Sequence, residues 1–223
     1  MKRASQSERQ SALEITWYGM SCFRITERGR ITAITDPFSE SIGIPSPKLK
    51  GDIVTISHNE PGHNYVEAVK TDPHVLRGPG EYEIGGVFVT GVAMHNVEQM
   101  RQNVAYLFDY DGLKVLHLGD LAHVPKQSEV EELGEVNVLL LPVGGGNGLK
   151  AAEAAEVISL IEPYFVVPMH YALPGLTVEL DPLDKFLKAM GVSKVQESDT
   201  LKVSAADTPE QPQVVVVTPQ AQS

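Results

Sequence analysis

Four histidines and one aspartate carry the chemistry this sequence can offer. His58 and His63 follow the apolar run 53–57, Asp120 follows the run 113–118, His170 follows 164–167, and His95 follows 87–92. Loops at strand ends are where a rigid scaffold presents functional side chains. Neutral imidazole and carboxylate are the ligands a borderline divalent cation prefers. Such a set converges only if the strands share a sheet edge. Each histidine taken singly reads as an ordinary surface or core residue; taken together, all at strand ends, they point to metal binding. The other histidines read differently. His74 stands beside Pro73 as a solvated turn residue, His117 alternates against Leu116 and Leu118 as a packing residue, and His123 is a loop residue.

The elements that must position these groups follow from the hydrophobic pattern. Residues 13–18, 21–26 and 31–35 alternate apolar and polar with short turns between them, an antiparallel meander stopped by Asp36-Pro37. The runs 52–57, 136–141 and 164–167 are compact and apolar, the signature of strands buried on both faces. Asp111-Gly112 between 103–110 and 113–118 predicts a tight hairpin. Helices are expected over 64–70 with Asn64 as cap, over 128–133, over 149–161 with one apolar face, and over 183–190 before Gly191. A turn is expected at 80–83, where Glu81 and Glu83 are unanchored candidates for a general base. Gly144-Gly145-Gly146 lacks the spacing and the lysine of a phosphate loop and reads as a tight strand-to-helix connection. The acidic run 129–135 reads as a solvated helix face. A hairpin-rich first half and a strand–helix alternation in the second half fit two mixed sheets packed face to face with helices outside, an α+β, αββα sandwich.

Composition bounds the rest. The chain has 223 residues, 42% hydrophobic and 21% charged, with no interior linker, which suits one domain. The expected division is a disordered lead over 1–12, the domain over 13–207, and a flexible or edge-strand tail over 208–223. A net charge of −11 argues against nucleic acid as a partner, since phosphate binding needs clustered Lys and Arg. The single cysteine, Cys22, excludes an internal disulfide and a cysteine-rich zinc site, and its apolar neighbours make it a buried thiol. The basic, polar start lacks an apolar core for secretion, and no apolar run is long enough to span a membrane. A cytoplasmic location is expected.

At particular residues a family resemblance emerges. Trp17-Tyr18-Gly19-Met20-Ser21-Cys22-Phe23, Ile34-Thr35-Asp36-Pro37-Phe38, Val54-Thr55-Ile56-Ser57-His58, Val115-Leu116-His117-Leu118-Gly119-Asp120, Leu139-Leu140-Leu141-Pro142-Val143-Gly144-Gly145 and Val167-Pro168-Met169-His170-Tyr171 resemble, in order and spacing, the landmarks of the metallo-β-lactamase superfamily. The likeness runs from about 13 to 190, and it is greatest to the small metal-dependent hydrolases of bacteria and archaea. It implies one metal position built by His58, the residue at 60 and His95, a bridging Asp120, and a second position using the residue at 62, His63 and His170. Asp36 would support the metal loop without ligating. The loop here reads His58-Asn59-Glu60-Pro61-Gly62-His63, with Glu60 in place of a histidine and Gly62 in place of the aspartate that orients the attacking water. A carboxylate at 60 can still coordinate, whereas glycine has no side chain to do so. The expectation is a bacterial metal-dependent hydrolase with an atypical site, using metal ligands His58, Glu60, His63, His95, Asp120 and His170, with Asp120 and His170 catalytic. The cofactor would be one divalent ion rather than two, zinc with manganese or iron as alternatives. The substrate would be a small molecule with an ester, amide or phosphate bond. The rival expectation is an inactive member that binds a ligand or partner through the same cleft.

Overall fold

The computed structural model describes residues 12–94 and 102–220. Its strands are β1 (Leu13–Gly19), β2 (Cys22–Thr26), β3 (Ala33–Thr35), β4 (Ile53–Thr55), β5 (His74–Leu76), β6 (Gly80–Ile84), β7 (Val87–Ala93), β8 (Val104–Tyr110) and β9 (Leu113–His117). Then come α1 (Gln127–Glu131), β10 (Val138–Pro142), α2 (Ala151–Ile161), β11 (Phe165–Met169), α3 (Leu183–Ala189), β12 (Gln196–Ser198), β13 (Leu201–Val203) and β14 (Gln213–Val217). One sheet runs β13-β1-β2-β3-β4-β5 and the other β12-β14-β11-β10-β9-β8-β7-β6.

The alternation in β1 turns Leu13, Ile15 and Trp17 inward, where they meet β2 through Phe23 and Ile25 and the second sheet through Tyr106, Phe108 and Leu116. Full burial of each large side chain of this kind is worth about 1.5–3 kcal/mol. The all-buried pattern of β10 matches its place between two parallel neighbours, β9 and β11. Ala154, Val157, Ile158 and Ile161 of α2 pack onto that core. The outer face of the first sheet, through Cys22, Ile34 and Val54, is covered by Phe38, Ile42 and Leu49 from loops and short 3₁₀ turns.

Parallel pairing in two places sets up the site. In the first sheet β3, β4 and β5 run parallel, with Thr35, Thr55 and Leu76 in one row. In the second, β9, β10 and β11 run parallel, with Pro142 beside Met169 and Leu140 beside His117. The chain after each strand therefore leaves the same edge of its sheet.

Three expectations need correction. Residues 64–70 form no α-helix, only a 3₁₀ turn at Val66–Ala68. The Asn64 side chain donates to Asn59 rather than capping, and Lys70 N–H donates to Leu49 C=O, drawing the chain into a bridge. Residues 80–84 are not a turn but the strand β6, paired along β7. Finally, β14 is neither a loose tail nor an edge strand: it lies between β12 and β11 and bonds to both. Its Val215 and Val217 are buried in the core, so the tail's hydrophobic run completes the second sheet. The lead expected over 1–12 falls outside the described residues up to 11. The Asp111-Gly112 hairpin forms as expected, with φ of +58° and +91° at its two central residues, as a type I′ turn requires.

Candidate metal centre

Asp36 follows β3, Ser57 and His58 follow β4, and all three are buried, Asp36 completely. The Asp36 carboxylate accepts from Ser57 N–H at 2.7 Å, from the Ser57 hydroxyl at 2.5 Å and from His63 Nδ1 at 2.8 Å. The Ser57 hydroxyl has one proton and gives it to Asp36, so its oxygen accepts from His58 Nδ1–H at 3.0 Å. One buried carboxylate thereby fixes two tautomers. His58 and His63 both hold their proton on Nδ1, and both turn an Nε2 lone pair away from Asp36. Burial pushes the Asp36 carboxyl up from its ordinary value, against the opposing pull of His117, His58 and the Ser57 hydrogen bonds.

Those lone pairs meet other acceptors. Nitrogen and oxygen ligand atoms of His58, His63 and Asp120 lie within 4.8 Å of one another. His58 Nε2, buried and without a hydrogen bond among the described residues, is 3.6 Å from Glu60 Oε2. His170 Nδ1 is 3.7 Å from Asp120 Oδ1 and likewise makes no hydrogen bond. The rings of His58 and His63 are 4.1 Å apart, and those of His63 and His170 5.3 Å. Burial, and then the neighbouring His63, push His58 down to about 4, so at neutral pH it carries no second proton to donate. Imidazole lone pairs turned toward carboxylate oxygens fit a cation: the donor set of His58, His63 and Asp120 suits a divalent metal.

Asp120 is held as firmly as the histidines. Its N–H donates to Asn103 Oδ1 at 3.0 Å, and Asn103 Nδ2 donates to Leu118 C=O. His117, fully buried, accepts from Gly119 N–H on Nδ1 and donates from Nε2 to Ser21 C=O at 2.9 Å. It packs edge-on against Phe23 and ties the β1–β2 turn to the Asp120 turn. Gly119, at φ +62°, must be glycine, because a Cβ there would collide with Ser57 and Asn103. His170 takes φ +53° and donates its N–H to Met20 C=O, which turns the ring back toward Asp120. The two sheets thus meet at this edge through Ser21, Ser57 and Gly119.

Of the sequence-predicted ligands, His58, Glu60, His63, Asp120 and His170 come together here, and His95 lies outside the described residues. Gly62 lines the cleft beside them. His74 is exposed on β5 and His123 is half-buried in its loop, both outside the cluster. Glu81 and Glu83 are exposed on β6 and line neither cavity at the cluster. Sequence reasoning missed the Ser57 relay, which its place directly before His58 could have signalled, and Asn103, which nothing local marks.

Two cavities flank the cluster. One, of about 260 Å³, is walled by Met20, Ile42 and Leu180 on its apolar side and by Glu60, His63, Asp120 and His170 on the other. The second, of about 450 Å³, is reached past Ser57 and His58.

Two mixed sheets face to face, with histidines and an aspartate gathered where their parallel strands end, define an αββα sandwich with a candidate metal cleft at the strand edge. The family described as a β-lactamase superfamily domain matches residues 14–170, and the chain belongs to that superfamily. It is 36% identical to a candidate Zn-dependent hydrolase of the metallo-β-lactamase superfamily from Thermotoga maritima, whose crystal structure superposes with a TM-score of 0.76 over 92% of this chain and 98% of that one. It is 27% identical to the UPF0173 metal-dependent hydrolase of Archaeoglobus fulgidus, over 81% of this chain and 93% of that protein. To the one from Carboxydothermus hydrogenoformans it is 23% identical, over 81% and 95%. The relatives thus include archaea as well as bacteria. Among the described residues no helix is long and apolar enough to cross a membrane.

Proposed function

We propose that the protein is a metal-dependent hydrolase acting on an ester, amide or phosphate bond of a small molecule. The observation that carries this reading is the convergence of His58, His63 and Asp120, whose ligand atoms lie within 4.8 Å of one another, with His58 Nε2 3.6 Å from the exposed Glu60 carboxylate and His170 Nδ1 3.7 Å from Asp120 Oδ1. His58, Glu60, His63 and Asp120 would hold one divalent ion, zinc by its preference for imidazole and carboxylate, with His95 supplying a further imidazole as the family resemblance implies. When bound, such an ion supplies Lewis-acid chemistry, lowering the pKa of water to near neutrality and offsetting charge on the developing oxyanion.

The chain's own residues do the rest. Asp36 and Ser57 hold the two imidazoles in the ligating tautomer. Asp120, gripped by Asn103 and Gly119, keeps one carboxylate oxygen near His170. His170, at the mouth of the smaller cavity, is placed to pass a proton to the leaving group. Met20, Ile42 and Leu180 give that side an apolar wall. With glycine at 62, Glu60 is the carboxylate beside the cluster that can accept a proton from the attacking water.

Protein purified without tag or chelator is expected to carry about one equivalent of a divalent transition metal, and Asp120→Ala to lose both metal and turnover. Growth in zinc- and manganese-supplemented medium that still yields metal-free protein refutes the proposal. A second reading has one observation in its favour: Gly62 lines the cleft without a side-chain carboxylate. It makes the chain a non-catalytic member that holds its ligand in the same place, and metal-loaded protein that binds but never turns over a broad ester, amide and phosphate panel would establish it.

A further inference from the structure

The larger cavity has a chemical character that the metal cluster does not explain. Among the described residues its walls are Ile56, Ser57, His58, Asn59, Arg77, Gly78, Pro79, Gln102 and Val104, with no aspartate or glutamate. In a chain of net charge −11 that is an unusual stretch of wall, and among the described residues Arg77 is its one full charge. None of the ion pairs among the described residues involves Arg77. The smaller cavity, in contrast, has Glu60 and Asp120 on its wall and, among the described residues, no Lys or Arg.

Arg77 is placed there by the same device that places the metal ligands. Leu76 ends β5 in the row of Thr55 and Thr35, and Ile56 N–H donates to Leu76 C=O. Arg77 therefore leaves the sheet on the edge that also emits Asp36 and His58. Ligands in sheets with parallel strands settle outside the carboxyl ends of those strands. The segment after it is held from behind. Gly91 of β7 has no side chain where a Cβ would strike Gly78 C=O at 2.6 Å and Pro79 at 3.3 Å, so the strap packs directly on the strand. The Tyr106 hydroxyl bridges to Ile56 C=O at 3.2 Å and Leu76 C=O at 3.1 Å, locking β4 and β5 together at this end. Arg77 thus projects from a fixed base.

We propose that this cavity is the substrate-orienting half of the site and that Arg77 binds an anionic group, carboxylate or phosphate ester, carried by the substrate away from the bond that is cleaved. The proposal rests on the hydrolase reading for the word substrate; the anion site itself does not. The planar guanidinium can take such a group through two parallel hydrogen bonds, which fixes orientation as well as charge. The scissile bond then lies over His58, His63 and Asp120, and the uncharged remainder points toward Met20, Ile42 and Leu180.

The test compares wild type, Arg77→Ala and Arg77→Lys in two assays. In the first, calorimetry follows the binding of inorganic phosphate and of succinate to the protein as purified. Arg77→Ala is expected to weaken the better of the two by about ten- to a hundredfold, with Arg77→Lys between it and wild type. The tighter anion names the class. In the second, turnover of para-nitrophenyl hydrogen succinate is compared with that of its neutral methyl ester. The preference for the charged ester is expected in wild type and to fall in Arg77→Ala, whereas general damage to the fold lowers both rates and leaves the ratio alone. Binding of both anions that is absent, or unchanged by Arg77→Ala, overturns the anion site. Arg77-dependent binding with no hydrolysis of any ester overturns the hydrolase reading and leaves the anion site standing.

Discussion

Asp36→Asn isolates the role of the carboxylate that fixes two histidine tautomers, because it keeps the shape and removes the charge. One oxygen of Asp36 takes Ser57 N–H at 2.7 Å, and the other takes both the Ser57 hydroxyl and His63 Nδ1 at 2.8 Å. An amide cannot satisfy this arrangement in either orientation. With its oxygen on the two-donor side, its NH₂ opposes Ser57 N–H. With its oxygen on the Ser57 N–H side, its NH₂ faces His63, which must move its proton to Nε2 and so surrender the lone pair aimed at the cluster. Ser57, released from donating, no longer forces the tautomer of His58. A hydrogen bond to a charged acceptor contributes about 1.5–3 kcal/mol. Transmitted to the ligands, that corresponds to about a ten- to hundredfold loss of metal affinity, the usual effect of removing a group that orients a ligating histidine. Competition against a chromophoric chelator measures the affinity, and nitrogen NMR of the imidazoles reads the tautomers directly. A folded Asp36→Asn protein whose metal affinity stays within about threefold of wild type would refute the tautomer argument, because the orienting shell would then be idle.

Gly62→Asp is expected to raise metal affinity by about tenfold or more and to increase turnover, since among the described residues a Cβ at 62 would meet only Met20 Cε at 3.6 Å and Ile42 Cγ2 at 3.8 Å, ordinary contacts that leave room for a carboxylate in the cleft. Unchanged metal stoichiometry and rates in a folded variant would show that position 62 has no access to the ion. Metal-free protein is expected to lose stability on acidification from about pH 6.5 toward pH 4, because unfolded His58 takes a proton that the folded residue, held down at about 4, refuses. The loss is of order 3 kcal/mol at most; buried His117, also pushed down, acts in the same direction, and Asp36, pushed up, offsets part of it at the acid end. Urea unfolding at several pH values measures this, and a flat profile across the window contradicts the burial of neutral imidazole.

Much of the fold could be read from the sequence because its strands are either strictly alternating, as in β1, or wholly apolar, as in β10. What escaped was set by partners distant along the chain. The 64–70 segment has a capping asparagine and helical spacing, but pairing with Leu49 overrides both. The tail 208–223 reads as flexible or an edge strand because its three buried valines acquire meaning only beside β11 and β12. Similarly, His58, His63, Asp120 and His170 were visible as strand-end residues, since a strand end is a local feature. The function of Asn103 was not visible, since its contacts with Leu118 and Asp120 exist only when β8 and β9 pair. Arg77 carried no signal at all until the parallel register of β4 and β5 put it beside His58.

The altered loop therefore bears on the chemistry in a specific way. Glu60 and Gly62 change the ring of groups that would touch an ion, yet the apparatus behind that ring is complete. A carboxylate with no solvent exposure is costly to bury unless its charge is answered. Among the described residues no lysine or arginine pairs with Asp36; Ser57 and His63 are its hydrogen-bond donors, and through them it aims two lone pairs at the same small volume. An uncharged residue of similar size would pack that position at less cost if packing were its only task. The orientation of His58 and His63 is what the buried charge achieves, and an oriented pair of imidazole acceptors beside two carboxylates acts on a cation.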